Sequence, residues 1–153
     1  MYNSQGLRMN VNCSENTFSF YEAIRKNKKY RYITFCIDAN GTIDIETIGP
    51  RDTDYQQFME DLMRGGPGEC RYGLFDLEYM HHCSITDTDC KREKLIMLCW
   101  CPNGAKAKLK VQYQSYLRSF VECLTGLQYY RTVSELSEMT RDAVEQYLRA
   151  TDK

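Results

Sequence analysis

The 153-residue chain lacks any apolar run long enough to cross a membrane. The longest, Leu95 to Trp100 with Cys101 beyond it, is far short of the ~20 residues a bilayer requires. Met1 to Asn12 contains Arg8 but no apolar core of signal-peptide length, so neither export nor membrane insertion is expected. The chain also lacks a charge excess. Its 20 Lys and Arg face 21 Asp and Glu, which leaves a net charge of −1 and excludes a generally polyanion-binding protein, so no nucleic-acid partner is expected. No Walker loop, G-x-S-x-G or H-E-x-x-H motif occurs, and the only two histidines, His81 and His82, adjoin in a polar stretch, so an enzyme is not expected. Although Cys83, Cys90, Cys99 and Cys101 follow His81 and His82, no C-x-x-C pair occurs, and neither a metal site nor a cofactor is expected. Internal repeats, low-complexity segments and linkers are absent as well.

What is present is ordinary globular material, 42% hydrophobic and 27% charged, in a length that suits one domain. The eight cysteines read as reduced thiols, several of them in apolar runs where Cys acts as a small hydrophobe, which places the protein in the cytosol. Charge is unevenly placed. Residues 1–37 carry a net +4, 38–89 a net −9, 90–118 a net +6 and 119–153 a net −2. Such a distribution suits recognition of a structured, charged partner.

Periodicity predicts a helix from about Ser14 with Phe18, Tyr21 and Ile24 on one side. Tyr30 to Ile37 and Thr42 to Ile48 read as a hairpin about Asn40-Gly41. Thr53 and Gln56 form a capping box for a second helix with the stripe Tyr55, Phe58, Met59 and Leu62, stopped by Gly65-Gly66-Pro67-Gly68. Arg71 to Tyr79 is a strand followed by a polar loop to Asp89. Leu95 to Cys101 is a central buried strand, and a short helix starts near Ser137. The fold class is α/β, a mixed β-sheet sandwiched between α-helices.

The helix from about Ala105 to Leu124 is the most informative. One face holds Leu109, Tyr113, Tyr116, Leu117, Phe120 and Leu124 and belongs to the core. The other holds Lys108, Val111, Ser115, Arg118 and Glu122, with Lys110 at its edge. Val111 is therefore either a stray exposed aliphatic or a small apolar anchor among cations, fitted to a partner's groove while the lysines meet carboxylates.

Several stretches resemble one family: Lys28-Lys29-Tyr30-Arg31-Tyr32-Ile33, Gly66-Pro67-Gly68-Glu69-Cys70-Arg71-Tyr72-Gly73-Leu74-Phe75-Asp76, Glu78-Tyr79-Met80-His81, Trp100-Cys101-Pro102, Lys106-x-Lys108-x-Lys110-x-x-Tyr113, and Leu136-Ser137-Glu138 through Leu148-Arg149-Ala150-Thr151-Asp152. By these the chain resembles the actin-depolymerising factor/cofilin family, of the insect type, from about Val11 onward. The resemblance implies an actin-depolymerising-factor homology domain over 11–153, with residues 1–10 as a flexible extension. It implies a monomer that binds actin monomers and filaments, with severing and depolymerisation, or, as the alternative, a monomer-sequestering paralogue with weak severing. Implied actin contacts are Met9, Asn10, Val11, Lys108, Lys110, Val111 (Met in the family) and Ser115, with Lys91 and Arg92 on the filament side. Ser4 is the candidate regulatory phosphoserine, outside the family's register. Phosphoinositide binding is expected to be weakened by Val121 and Glu122, which replace a basic pair, while Arg118 replaces an acidic residue. Tyr129 stands near the place of a pH-sensing histidine. Arg25 to Arg31 resembles a nuclear import signal, beside a cytoplasmic, cytoskeletal location.

Overall fold

The computed structural model describes residues 11–151. In chain order the elements are β1 (Asn12–Cys13), α1 (Glu15–Arg25), β2 (Tyr30–Ile37), β3 (Thr42–Pro50), α2 (Tyr55–Leu62), β4 (Arg71–Cys83), β5 (Thr88–Trp100), α3 (Ala107–Cys123), β6 (Tyr129–Val133), α4 (Leu136–Met139) and α5 (Arg141–Thr151). The strands form one sheet in the order β1-β3-β2-β4-β5-β6. Its centre is antiparallel, while β1 on β3 and β6 on β5 are parallel edges, so the sheet is mixed as expected.

Strand alternation divides the core in two. Ile33, Phe35, Tyr72, Leu74, Met97 and Cys99 point to the face covered by α1 and α3, where Tyr21, Ile24, Tyr113, Leu117 and Phe120 meet them. Tyr32, Phe75, Leu77, Ile96, Leu98 and Trp100 point to the other face, under Phe58 and Leu62 of α2 and Val144 and Leu148 of α5. Burial on both faces is why the end of β5 is almost wholly apolar. Gly73 lies in β4 under α2, where a Cβ would come within 2.7 Å of the Phe58 ring and 2.8 Å of Leu62. Gly73→Ala is therefore expected to cost about 2 kcal/mol through overpacking, read as a fall of roughly 6 °C in the thermal midpoint.

Several local expectations are corrected. Phe18 is 41% exposed and Thr17 takes its place in the core, because the buried stripe of α1 runs through Thr17, Tyr21 and Ile24, one residue round the helix. α2 is capped by Asp54, whose carboxylate accepts from the Gln57 amide at 3.0 Å, and not by Thr53. The Thr53 amide instead closes a turn on the Pro50 carbonyl at 2.9 Å. The polar loop before Asp89 is mostly strand, since β4 and β5 stay paired out to Cys83 opposite Thr88. The last helix is two, broken at Thr140, whose hydroxyl accepts from the Ala143 amide at 3.2 Å and starts α5. Neither β1 nor β6 was foreseen, because each is short and defined by a partner distant in sequence.

Tyr21 and Tyr113 are among the phenols sealed in the first core. Tyr21 donates to the Thr125 carbonyl at 2.7 Å, and Tyr113 accepts from the Ile37 amide at 2.8 Å. Burial pushes the pKa of each up to about 12. Between the ordinary tyrosine value of ~10 and 12 the native state then holds protons that the unfolded state releases. Stability should be complete below pH 10 and fall as pH rises towards 12. Urea midpoints across that range check this, and Tyr113→Phe should flatten the decline.

Candidate functional site

The long helix α3 starts with a violation of the usual helix rules. Its N-cap is Lys106, which makes no side-chain cap, and no acidic residue lies in its first turn. The unpaired amides and the positive end of the helix dipole therefore coincide with Lys106, Lys108 and Lys110. Lys106 and Lys108 are exposed and have no carboxylate partner among the described residues. Lys110 donates only to the backbone carbonyl of Asn103, at 3.3 Å.

One turn on, Val111 is 66% exposed. Lys108, Ser115, Arg118 and Glu122 are exposed along the same line, so the face read from periodicity is the outward face. Ser115 turns its hydroxyl back to the Gln112 carbonyl at 3.1 Å. Beside the lysines, Gly68, Glu69, Lys106, Lys108, Leu109 and Gln112 line an open groove of about 330 Å³. The loop at Pro67 forms its wall by close approach, since a Cβ on Gly104 would stand 3.0 Å from the Pro67 carbonyl oxygen. The arrangement offers an apolar projection, a row of cations with no carboxylate partner among the described residues, and a helix start without a side-chain cap.

Replacing Lys106 by Asp would supply the missing cap. Lys106→Asp is expected to raise stability by about 1 kcal/mol while weakening any acidic partner, measured by thermal unfolding beside a binding titration.

A second exposed region lies at the other end of β5. Lys91 is exposed and Arg92 half-buried, on the part of the β4–β5 hairpin that carries Met80 and the 92% exposed Ile85 at its tip. α5 braces this hairpin through Arg141 to the Glu78 carbonyl at 2.7 Å and Arg149 to the Met80 carbonyl at 3.2 Å. Lys91 and Trp100 share one strand and are roughly 30 Å apart at ~3.3 Å per residue. The two regions are therefore separate surfaces. Met80, Ile85 and Arg149 escaped the sequence reading, because nothing local shows that the hairpin projects.

Other candidate residues fall elsewhere. Val11 is 1% exposed and sits in the first core, so its side chain is removed from the contact set. Met9, Asn10 and Ser4 lie outside the described residues, as does the proposed extension 1–10. Val121 is buried, and Glu122 pairs with Arg118 at 3.3 Å in solvent. Tyr129 accepts a hydrogen bond from Lys94 at 2.8 Å. The basic run after α1 is engaged: Arg25 and Lys26 pair with Glu22, Lys28 with Asp76 at 3.0 Å, and Arg31 donates to the Arg51 and Asp76 carbonyls. His82 is held between Asp89 at 2.7 Å and Asp87 at 3.3 Å. Among the described residues no group of His, Cys, Asp or Glu is arranged to hold a metal.

A mixed six-stranded sheet between helices, presenting the exposed Val111 among cations on α3, has the fold and surface of a protein-binding module. The model of the cofilin/tropomyosin-type actin-binding protein family matches residues 10–149, and the chain belongs to that family. Actin-depolymerizing factor 7 of Arabidopsis thaliana is 30% identical over 122 residues, covering 80% of this chain and 82% of that protein. Actin-depolymerizing factor 9 of Oryza sativa subsp. japonica is 30% identical over 92% of this chain and 94% of its own length. Among solved structures, the ADF-like UNC-60A protein of Caenorhabditis elegans superposes with a TM-score of 0.78 at 26% identity, covering 93% of this chain and 96% of that one. Streptomyces griseoflavus cofilin does so at 0.74 and 28% identity, covering 89% and 95%.

Proposed function

We propose that this chain binds actin monomers and the sides of actin filaments, and promotes severing and depolymerisation of the filament. The observation that carries the reading is the exposure of Val111 beside an uncapped, lysine-rich helix start. Val111 enters an apolar cleft on actin, and Lys108 and Lys110 meet its carboxylates, with Ser115 at the margin. Lys91 and Arg92, near the other end of β5, contact a neighbouring subunit, so one molecule bridges two protomers. Met9 and Asn10 contribute from the N-terminal segment, which Val11 anchors from the core. Ser4 is a candidate modification site within that segment.

Severing breaks noncovalent contacts and requires no catalytic residue. Binding one filament geometry more tightly than another shifts the filament towards it and weakens the contacts across the boundary. The protein acts as a monomer in the actin cytoskeleton of the cytoplasm. Phosphoinositide headgroups are a weaker ligand, since the late part of α3 offers buried Val121 and the internally paired Glu122. Nuclear import through Arg25 to Arg31 is not part of the proposal, because those side chains are largely engaged within the fold.

The exposed Arg118–Glu122 pair favours a second reading, a sequestering protein that binds monomers and severs weakly. Filament co-sedimentation and imaging of filament length, beside a titration of monomeric actin, separate the two. Pelleting with filaments and shortening them supports the first reading. Binding to monomers alone supports the second, and binding to neither rejects both.

A further inference from the structure

β4 outlasts its partner on one side. Its pairing with β2 ends at Phe75, opposite Tyr32, whereas its pairing with β5 continues to Cys83. From Asp76 onward one edge of β4 therefore has no neighbouring strand among the described residues, and alternate carbonyls along it need donors. Three arginines supply them. Arg31 donates to the Asp76 carbonyl at 3.0 Å, Arg141 to the Glu78 carbonyl at 2.7 Å and Arg149 to the Met80 carbonyl at 3.2 Å. Arg149 also lies over the ring of buried Tyr79, 5.8 Å from its centroid.

The two arginines of α5 do not match this edge by themselves. Arg141 and Arg149 stand ~12 Å apart along the helix, while the carbonyls of Glu78 and Met80 are ~7 Å apart along the strand. Each arginine must lean inward. Glu145, midway between them, accepts Arg141 Nε on one carboxylate oxygen at 2.8 Å and a terminal nitrogen of Arg149 on the other at 2.9 Å. Val144 and Leu148 hold that stretch of α5 in the second core.

We propose that Glu145 is a positioning residue: by drawing Arg141 and Arg149 onto the free edge of β4, it sets the direction of the β4–β5 hairpin and so governs binding to filaments but not to monomers. The consequence for actin rests on the function proposed above, in which the hairpin meets a second subunit and α3 meets the first. Lys91 stands directly opposite Met80, one strand from the clamp. A two-stranded ribbon beyond the main sheet twists readily, so its edge bonds fix where it points. Ion pairs between side chains partly in solvent add little to global stability, so the fold should survive loss of Glu145 while the hairpin's direction does not. Charge sharpens the distinction. Removing an acidic group from this surface would by itself favour an acidic partner, so weaker filament binding would come from geometry.

The test uses the full chain with Glu145→Ala and, separately, Glu145→Gln, which keeps one acceptor oxygen and loses the charge. Amide hydrogen exchange over residues 76–92 reports the hairpin without actin. Glu145→Ala should speed exchange there about tenfold, with a thermal midpoint near that of wild type. Its affinity for filaments should fall about tenfold and its affinity for monomers stay within about twofold, with Glu145→Gln in between. Lys91→Ala should weaken filament binding without altering exchange, which separates contact from positioning. Unchanged exchange in Glu145→Ala overturns the clamp, whatever actin does. Unchanged filament affinity, or equal losses for filaments and monomers, overturns its part in filament binding. If wild type itself fails to pellet with filaments, the actin reading falls, and exchange alone still decides the clamp.

Discussion

Lys108→Ala combined with Lys110→Ala should lower actin affinity roughly 100-fold and leave the unfolding transition in place. Each lysine placed against an actin carboxylate in a desolvated contact is worth about 1.5 kcal/mol, so the pair accounts for about 3 kcal/mol, which is roughly two decades in Kd. The fold has little to lose. Lys108 has no carboxylate partner among the described residues, and Lys110 gives up one long bond to a backbone carbonyl. Removing cations from the positive end of α3 relieves a local repulsion, so the midpoint should hold or rise slightly. Co-sedimentation with filaments and titration of labelled monomer, each beside thermal unfolding, check the expectation. Unchanged affinity in a folded double variant would move the interface away from α3, and loss of affinity together with loss of fold would assign the lysines a structural role.

Asp76→Ala should destabilise the fold by about 3 kcal/mol, or roughly 9 °C in the thermal midpoint. Asp76 is 1% exposed in mid-β4. One carboxylate oxygen accepts from Arg51 at 2.9 Å and Lys28 at 3.0 Å, while Arg31 donates to its backbone carbonyl at 3.0 Å. Glu93 on β5 pairs with the same two cations, at 3.4 and 3.5 Å. The network thus joins the loop before β2, the end of β3, β4 and β5. Removing its buried centre leaves Arg51 and Lys28 sharing only the longer contacts to Glu93. Asp76→Asn keeps the shape without the charge and should fall between wild type and Ala. The other carboxylate oxygen is buried without a hydrogen-bond partner, which adds to the cost of holding a charge there. Asp76→Leu is therefore an informative control. Wild-type stability in that variant would mean that desolvation cancels the ion pairs, as is known for buried charges replaced by apolar groups.

Much of this architecture was legible beforehand, and the reasons are local. The β2–β3 hairpin announces itself through Asn40-Gly41, and Gly41 adopts φ +81°, which a glycine tolerates without strain. The stripe Tyr55, Phe58, Met59 and Leu62 is buried as read, because a helix has a fixed angular step. The same step predicts the outward line through Lys108, Val111, Ser115, Arg118 and Glu122. Phe18 shows where such reasoning slips: one residue of phase, 100° of rotation, separates a core position from a surface one.

The candidate site divides along the same line. The amino-acid order alone determined the α/β class and the solvent-facing cations of α3, because helical and strand periods are properties of consecutive residues, and its matching stretches carried the family resemblance. Only the tertiary structure decided that Val11 is an internal anchor, that Arg25, Lys26 and Lys28 of the basic run pair with carboxylates of the same chain, and that Lys91 and Arg92 ride on a projecting hairpin braced by α5. Most of these depend on contacts between residues far apart in the chain. Their closure is set by how the whole sheet and its helices share two cores, and no local pattern encodes it.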